Sequence, residues 1–378
     1  MELASFVAVN WRDLKNPDAG GAEVHLHEIL RRLVAGGHDV TYFVSGFPGC
    51  AEEDHHDGIR IIRKGGWYNA NYVIPFHVRR FLRDNPCDLV LEDINKIPFF
   101  LPAVVSQKVV PIIPHLFGTT VFRETNVLFA TYVYCWERLI PLVYRGCRFA
   151  VISPSTKADL VSRGISGDRI DVVLCGLDHD TYRVLDGVER FTEPTIIHFG
   201  RIRKYKSIDI VIDAFATVKE QIPGARLLIV GGGPEEENLR DHAAKKGLSE
   251  DVRFMGTVTT PELVKLLNQA HIFLNASPKE GWGLTVVEAN ACGVPVVASR
   301  RPGLQDSVKD GETGYLVDYG DVRAFADRAI ELLSDEGRWR RMSAAAIAWS
   351  RSLTWDRTGS EMETIFLEEI ESAKRGGE

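Results

Sequence analysis

Two glutamates eight residues apart, Glu280 and Glu288, are the residues in this sequence best suited to ligand chemistry. Glu280 lies in a glycine-rich loop, and Glu288 follows within a predicted helix whose other residues are mostly apolar. A carboxylate in such surroundings is unfavourable unless hydrogen-bond donors reach it, and two vicinal hydroxyl groups of a ligand would supply them. The alternative is an ordinary helix glutamate that the helix dipole stabilises.

Basic residues form a second candidate site, directly after a predicted buried strand over 195–199. Four of the six residues from Arg201 to Lys206 are Arg or Lys. Arginine donates bidentate hydrogen bonds and lysine acts as a point charge, so this run predicts a phosphate-binding loop. The alternative is a solvated basic loop.

A pair of glycines, Gly20 and Gly21, precedes a predicted helix over 22–35. Glycines at a helix start allow backbone N–H groups to approach an anion, which the helix dipole also favours. A plain strand–helix turn would have the same sequence. The segment lacks the G-x-G-x-x-G spacing of dinucleotide-binding proteins.

Short β-branched runs alternate with longer amphipathic runs twice along the chain, and this alternation must position the candidate residues. Strands are predicted over 3–9, 40–44, 59–62, 88–92, 109–113, 148–152, 170–174, 195–199, 226–230, 252–255, 271–275, 295–298 and 314–317. The clearest helices are predicted over 22–35, 127–144, 154–163, 207–221, 235–246, 260–269, 284–291, 321–333 and 335–350. The pattern predicts an α/β chain with two doubly wound, Rossmann-like parallel-sheet domains. Ligands of such sheets bind outside the carboxyl ends of the strands, where the candidate segments lie.

The domain limits follow from the same pattern. We expect an N-terminal domain over 1–178, a polar linker over 179–194 and a C-terminal domain over 195–355. A final amphipathic helix is predicted over 356–374.

Composition excludes several classes of protein. The chain has 378 residues, of which 45% are apolar and 26% charged, and its formal net charge is −7. Nucleic-acid binding is disfavoured because it needs clustered positive charge. The six scattered cysteines form no C-x-x-C pair, which argues against a zinc site or a disulfide framework. No run reaches the ~18 apolar residues of a membrane span, and the start lacks a signal-peptide pattern, so we expect a cytoplasmic protein.

The segment over 277–289 resembles the signature of the retaining glycosyltransferases of family 4, P-S-x-x-E-G-F/W-G-L-x-x-x-E-A. Here it reads S-P-K-E-G-W-G-L-T-V-V-E-A. Further similar segments lie at 20–23, 200–206, 230–234, 252–256, 293–298 and 310–317. The resemblance implies the GT-B fold, in which two Rossmann-like domains face each other across a cleft. It also implies that the helix over 356–374 crosses back to the N-terminal domain.

The resemblance also implies roles for the matching residues. Arg201 and Lys206 would hold the diphosphate of the donor, and Glu288 would accept the hydroxyls of its ribose. The segment implied to hold the transferred sugar consists of Glu280, Gly281, Trp282, Gly283 and Leu284. Of these residues, Arg201, Lys206 and Glu280 are expected to act in catalysis as well as in binding.

Three further implied roles fall on other parts of the chain. Gly20 and Gly21 would approach the phosphates from the N-terminal domain, and Met255 would border the base. His115, after the predicted strand over 109–113, would face the reacting sugar as a catalytic residue; the alternative is a structural loop histidine.

Two departures from simple patterns matter. The family usually has Lys-Gly at the phosphate-binding lysine, whereas this chain has Lys206-Ser207. The sequence D-H-D over 178–180 has the D-x-D pattern of metal-dependent glycosyltransferases of another fold, but it falls at the linker. We expect no metal there, because two cations on the diphosphate would offset the departing charge.

The resemblance therefore implies a metal-independent, retaining hexosyltransferase that needs no cofactor and uses a UDP- or GDP-sugar as co-substrate. The alternatives are a GT-B-type sugar-nucleotide epimerase or phosphorylase, and a non-catalytic nucleotide-sugar-binding protein. The presence of Glu280, Glu288, Arg201 and Lys206 together favours the enzyme.

The acceptor is a hydroxyl compound that the sequence does not identify: a bacterial-type glycan, a glycolipid or a small-molecule glycoside. A lipid-linked acceptor would bring the protein to the inner face of a membrane as a peripheral protein. The apolar run over 127–136 is the candidate patch for such contact. We expect it to be core instead, because Glu137 and Arg138 follow immediately.

Overall fold

The computed structural model describes residues 3–123 and 125–376. It divides into two compact units. Unit 1 consists of the residues up to Gly176 together with those from Trp355 onward, and unit 2 consists of Leu177–Thr354.

Unit 1 is built on an eight-stranded sheet. Its strands are β1 (Ser5–Val9), β2 (Asp39–Val44), β3 (Glu53–His56), β4 (Ile59–Arg63), β5 (Leu89–Asp93), β6 (Val109–Ile113), β7 (Phe149–Val151) and β8 (Ile170–Val172). The order is β3-β4-β2-β1-β5-β6-β7-β8, and all pairs are parallel except β3 with β4. The helices before the domain boundary are α1 (Gly21–Ala35), α2 (Ala70–Asp84), α3 (Val127–Glu137), α4 (Ile140–Val143) and α5 (Pro154–Ser162). Central strands such as β1 and β5 are buried on both faces, as in sheets covered by helices on each side.

Unit 2 has a six-stranded, fully parallel sheet in the order β11-β10-β9-β12-β13-β14. Its strands are β9 (Thr195–Phe199), β10 (Arg226–Val230), β11 (Val252–Gly256), β12 (Ile272–Asn275), β13 (Val296–Ser299) and β14 (Gly314–Val317). Its helices are α6 (Ile208–Gln221), α7 (Glu236–Lys245), α8 (Thr260–Gln269), α9 (Leu284–Ala291), α10 (Leu304–Ser307), α11 (Val322–Ser334) and α12 (Glu336–Arg351). The predicted two doubly wound α/β sheets are therefore confirmed.

The last helix, α13 (Trp355–Gly376), packs on unit 1. One side of it enters the core beside α1 and β1, through Met362, Ile365, Phe366 and Ile370. The buried ring of His38 also reaches it, with Nε2 2.9 Å from Glu363 Oε1.

The structure differs from the predicted elements in the first half of the chain. The hairpin of β3 and β4 was not predicted, although its two-residue turn has the sequence Asp57-Gly58, with φ of +50° and +77°. Such left-handed turns favour Asp and Gly, and they match the twist of the paired strands. Helix α2 was also missed; it contains Pro75, a residue that usually ends a helix.

The expectation that the apolar run over 127–136 is core was wrong for half of that run. Ala130 and Val133 are buried, but Val127 and Leu128 are 69% and 85% exposed. Sequence periodicity could not separate the two faces because the helix is apolar on both.

The segment over 179–194 lies within unit 2 instead of forming an open linker. Tyr182, Leu185 and Phe191 pack against the core on one face of the sheet. The Asn268 side chain fixes the segment further, since Oδ1 accepts from the Leu185 N–H at 2.8 Å and Nδ2 donates to the Arg183 carbonyl at 2.9 Å.

Candidate functional site

The loops that follow the strands of unit 2 bring together two residues that are 74 positions apart. The Lys206 ammonium donates to Glu280 Oε1 at 2.5 Å, and both side chains are largely buried, at 13% and 15% exposure. Burial opposes the charged lysine, but the neighbouring Glu280 carboxylate outweighs it and raises the pKa of Lys206. A buried, charge-assisted pair of this kind holds a fixed cation at the carboxyl ends of the strands.

Arg201 adds a second cation near this pair. Its side chain is exposed, and its positive charge partly opposes protonation of Lys206, which places the two cations in the same electrostatic environment. Two cations at the end of a parallel strand, one fixed and one exposed, suit a ligand with several anionic oxygens.

Glycines hold the loop of Arg201 against the next loop. A Cβ atom on Gly231 would lie 1.9 Å from the Gly200 carbonyl oxygen, and one on Gly233 would lie 2.0 Å from the Ile202 carbonyl oxygen. The Ile202 N–H donates to the Gly232 carbonyl at 2.9 Å. The three consecutive glycines therefore let two backbone segments touch, which fixes the position of the basic loop.

The loop of Glu280 is held in a comparable way. The Glu280 N–H donates to the Pro302 carbonyl at 3.0 Å, and a Cβ atom on Gly303 would lie 2.3 Å from the Glu280 carbonyl oxygen. Trp282 is only 2% exposed and anchors the loop in the core. Gly283, with φ of +89°, then turns the chain into α9, whose first residue is Leu284.

Glu288 lies on α9, half-buried. Burial raises the pKa of Glu288 to about 7, although the Tyr182 hydroxyl and the Lys206 charge act in the opposite direction. The carboxylate therefore titrates near neutral pH. Tyr182 belongs to the segment that was predicted to be a linker.

Met255 lies near the end of β11 and is 41% exposed, so it offers an apolar surface beside these loops. The Gly231 N–H donates to the Gly256 carbonyl at 2.8 Å, which joins the end of β11 to the glycine loop.

Sequence analysis assigned no role to His198 of β9, and the structure places it close to the ion pair. It is buried, and Nδ1 lies 2.8 Å from the Leu274 carbonyl oxygen, so Nδ1 carries the proton. Burial lowers the pKa of His198 to about 4. The Lys206 charge acts in the same direction, and the hydrogen bond to Leu274 and the Glu280 charge act against it. Its Nε2 is buried and has no hydrogen-bond partner among the described residues. Its position one residue before the strand end was the available signal.

The D-H-D sequence over 178–180 forms a turn. Asp178 Oδ1 accepts from the Asp180 N–H at 3.0 Å, and Oδ2 accepts from the Thr181 hydroxyl at 2.6 Å. In the part of the chain that the structure describes, one group of three side chains has the composition of a metal site, namely His27, His56 and Asp57 in unit 1. His27 Nε2 is 2.8 Å from Asp57 Oδ2, so this pair already satisfies both atoms without an ion.

In unit 1, Gly20 precedes α1 and Gly21 is its first residue. The Gly20 N–H donates to Glu23 Oε2 at 2.7 Å, so a carboxylate already caps this helix start. Glu23 is 5% exposed, and Lys96 Nζ lies 3.9 Å from its other oxygen.

His115 follows β6, the position that the sequence analysis gave it, and is partly buried beside Phe117. The buried Glu137 of α3 holds the next residues, because its carboxylate accepts from the Phe117 and Gly118 N–H groups at 2.6 and 2.8 Å. Sequence reasoning had treated Glu137 only as the polar end of an apolar run. A glutamate that ends an otherwise apolar helix was the signal for such a role.

Comparisons with known proteins agree with this arrangement. Residues 187–349 match the model of the glycosyl transferases group 1 family, and residues 19–181 match that of Glycosyltransferase Family 4. Among curated proteins, the chain is 33% identical over 186 residues to N-acetyl-alpha-D-glucosaminyl L-malate synthase of Bacillus anthracis, covering 49% of this chain and 48% of that protein. It is 32% identical over 232 residues to a GDP-mannose-dependent alpha-(1-6)-phosphatidylinositol monomannoside mannosyltransferase of Mycobacterium tuberculosis, covering 58% of each. The alignments span about half the length of the first curated relatives.

Among solved structures, sucrose-phosphate synthase from Thermosynechococcus elongatus has a TM-score of 0.82 and 20% identity, and the match covers 98% of this chain and all of that one. At this identity the likeness concerns the fold. The two family models cover most of both units, and the glutamate pair of the family signature lies in the loop and helix described above. The chain belongs to glycosyltransferase family 4 and has the GT-B type of α/β fold.

Proposed function

We propose that the protein is a metal-independent, retaining hexosyltransferase that moves a sugar from a UDP- or GDP-sugar to a hydroxyl group of an acceptor. The observation that carries this proposal is the buried Lys206–Glu280 pair at 2.5 Å, with Arg201 beside it. A fixed ammonium next to an exposed guanidinium suits a diphosphate, and the adjacent carboxylate suits the hydroxyls of the sugar attached to it.

The reaction would break the bond between the anomeric carbon and the diphosphate oxygen. Arg201, Lys206 and the N–H groups around Gly283 would stabilise the negative charge that develops on the departing phosphate. The acceptor hydroxyl would attack the same face of the sugar, and its proton would pass to the departing phosphate oxygen. Glu280 would position the sugar and would not form a covalent bond to it.

Glu288 would accept hydrogen bonds from the two ribose hydroxyls, for which it must be ionised. Gly281, Trp282 and Leu284 would contribute backbone groups along the same loop. Met255 would lie against the base. These assignments agree with the exposed position of Met255 and with the anchoring of the loop by the buried Trp282 side chain.

Unit 1 would supply His115, Gly20 and Gly21. His115 would contact the reacting sugar, and its loop is fixed nearby because the Glu137 carboxylate accepts from the Phe117 and Gly118 N–H groups. The glycines would let the donor approach the backbone, since neither carries a side chain.

A panel of UDP- and GDP-sugars, with released nucleotide as the readout, tests the proposal. A transferase releases nucleotide when an acceptor is present, a phosphorylase requires inorganic phosphate, and an epimerase converts the sugar without releasing nucleotide. Binding without any conversion would favour the non-catalytic alternative. The anomeric configuration of the product, measured by NMR, distinguishes retention from inversion.

For the acceptor, we propose a lipid-linked hydroxyl compound reached by peripheral contact with the inner face of the membrane. The support is an exposed apolar surface formed by Tyr72 and Phe76 of α2 with Leu128 and Phe129 of α3, which we call the α2–α3 face. Phe76 and Leu128 are 71% and 85% exposed. The two helices are in contact, since Asn71 Nδ2 donates to the Tyr132 hydroxyl at 3.1 Å.

Charge complements this face. Helix α2 carries Arg79, Arg80 and Arg83, all exposed, against one exposed acidic residue, Asp84 at its end, and Glu137 of α3 is buried. Among the fourteen large hydrophobic residues exposed in the described chain, nine lie between residues 67 and 142. Aromatic residues next to arginines favour the interface of an anionic bilayer. No helix in the described residues is both long and apolar enough to cross a bilayer.

Co-sedimentation with phosphatidylcholine vesicles, with and without phosphatidylglycerol, tests this contact. We expect binding that rises with the anionic lipid and that the Phe76→Ser/Leu128→Ser variant loses. Val161→Ser, at a 45% exposed position on α5, is the matched control and should bind as the wild type does. Equal loss in both variants, or no binding by the wild type, would contradict the proposed contact.

A further inference from the structure

The residue after the phosphate-site lysine has an unusual backbone conformation. Ser207 has φ of +49° and ψ of +47°, which is the left-handed region that residues other than glycine rarely adopt. It directly follows Lys206 and precedes α6. The position of the lysine therefore depends on a conformation that serine does not favour by itself.

A tyrosine from another loop supports this conformation. Ser207 is 6% exposed, and its hydroxyl lies 3.0 Å from the hydroxyl of Tyr319. Tyr319 is in the turn after β14, so this hydrogen bond joins residues 112 positions apart. A buried hydroxyl without such a partner would be energetically unfavourable.

The same tyrosine also contacts the segment that holds Glu280. The Arg301 guanidinium lies over the Tyr319 ring, 5.3 Å from its centroid. The neighbouring Pro302 carbonyl accepts the Glu280 N–H at 3.0 Å. Tyr319 thus touches both segments whose charged residues, Lys206 and Glu280, form the ion pair.

We propose that Tyr319 is a positioning residue that fixes Lys206 for contact with the donor diphosphate by holding Ser207 in the left-handed conformation. This proposal rests on the proposed function for the role of Lys206. Tyr319 itself is assigned no contact with the donor. The hydroxyl is the part that matters, because a phenylalanine would keep the ring under Arg301 and lose only the hydrogen bond.

Three variants test the proposal: Tyr319→Phe, Ser207→Gly and the double variant that combines them. Tyr315→Phe is the control. The Tyr315 hydroxyl donates to Glu331 Oε1 at 3.1 Å, and Tyr315 lies on β14, the strand before the turn of Tyr319. Tyr315→Phe therefore controls for the loss of a tyrosine hydroxyl. Measurements are kcat and KM with the best donor, affinity for UDP and for GDP by calorimetry, and the melting temperature. We expect Tyr319→Phe to lower kcat/KM roughly fivefold, as loss of one hydrogen bond would.

The double variant supplies the decisive comparison. Glycine adopts the left-handed conformation without support, so Ser207→Gly should restore kcat/KM in the Tyr319→Phe background to within about twofold of Ser207→Gly alone. A purely structural tyrosine would lower the melting temperature in both backgrounds and show no such rescue.

The outcomes separate this inference from the proposed function. If Lys206→Ala leaves nucleotide affinity and turnover unchanged, both are overturned. If Lys206→Ala is impaired while Tyr319→Phe behaves as Tyr315→Phe does, only the positioning role is overturned. The positioning role is also overturned if Tyr319→Phe lowers kcat/KM by the same factor whether residue 207 is serine or glycine.

Discussion

The strand ends of the two units present different kinds of polar groups. In unit 2 they present Lys206 and Arg201 beside Glu280. In unit 1 the end of β5 carries Asp93, which is fully buried, and Glu23 lies close enough to raise its pKa further after burial has raised it. One sheet therefore ends in cations, and the other ends in a buried acid, Asp93, whose raised pKa favours its neutral form.

This difference indicates which part of the substrate each unit can recognise. A diphosphate needs fixed positive charge, which unit 2 supplies. The buried polar groups at the end of β1 and β5, such as Asn10 Oδ1, which accepts from Asn95 Nδ2 at 3.0 Å, are suited to uncharged partners. We infer that unit 2 supplies the positive charge that holds the phosphates and that the side chains of unit 1 suit hydroxyl groups.

The largest loss of activity is expected from removing the fixed cation of unit 2, Lys206. Lys206→Ala should lower kcat/KM by ~10²-fold or more, because a charge that stabilises the departing phosphate would be lost. Steady-state kinetics measure this change. Lys204→Ala, which removes an exposed lysine of the same loop, is the control and should stay within about threefold of wild type. Equal losses in both variants would mean that general charge, and not the fixed ammonium, matters.

The next effect concerns Glu288 and the ribose. Glu288→Gln should weaken UDP and GDP binding by ~1–3 kcal/mol, since an acceptor of two hydrogen bonds is altered. Because the pKa of Glu288 is about 7, the affinity of the wild type for a UDP- or GDP-sugar, whose diphosphate is esterified at both ends and does not titrate near pH 7, should fall as the pH drops below 7, and the variant should lose this dependence. Calorimetry at pH 6, 7 and 8 measures both. Unchanged affinity in a folded variant would remove the ribose role.

The Glu288→Gln substitution should weaken nucleotide binding but stabilise the fold at pH 8. The pKa of Glu288 is about 7 in the folded chain against the usual 4.5, so between these pH values the folded state keeps a proton that the unfolded state releases. Stability therefore falls as the pH rises from 4.5 to about 7, and the loss is complete above that. Glu288→Gln should therefore raise the melting temperature at pH 8 and leave it nearly unchanged at pH 4.5. A lower melting temperature at pH 8 would show that other contacts of the carboxylate outweigh its burial.

A smaller and more selective effect is expected at His115 in unit 1. His115→Ala should reduce kcat by roughly tenfold or more and change UDP or GDP affinity less than twofold, because His115 is expected to contact the reacting sugar and not the nucleotide. Equal losses of affinity and turnover would assign His115 to structure.

Removing metal should have the smallest effect. Treatment with EDTA should leave turnover unchanged, since two cations of the protein would offset the charge of the diphosphate. Restoration of a lost activity by Mg²⁺ or Mn²⁺ would contradict the metal-independent mechanism.

The sequence predicted unit 2 more closely than unit 1 for physical reasons. Each buried strand of unit 2 is a short apolar run, and the bounds of β9, β10 and β14 agree with prediction residue by residue. In unit 1, α3 is apolar on both its buried and its exposed sides, so its pattern gave no information about which side faces solvent.

Prediction of the candidate site from the sequence was limited in a similar way. Glu280, Glu288, Arg201 and Lys206 could be found because each is a charged residue at a strand end or in an apolar helix. The 2.5 Å contact between Lys206 and Glu280, the support of Ser207 by Tyr319 and the burial of His198 arise from contacts between distant segments. Such contacts have no local signal in the sequence.

A crystal structure of the protein with the UDP- or GDP-sugar that binds most tightly tests the central claim most directly. We predict diphosphate oxygens within hydrogen-bond distance of Lys206 Nζ and the Arg201 guanidinium, with the ribose hydroxyls on Glu288 and the sugar beside Glu280. A nucleotide bound away from the Lys206–Glu280 pair, or with its phosphates held by unit 1 alone, would contradict the account.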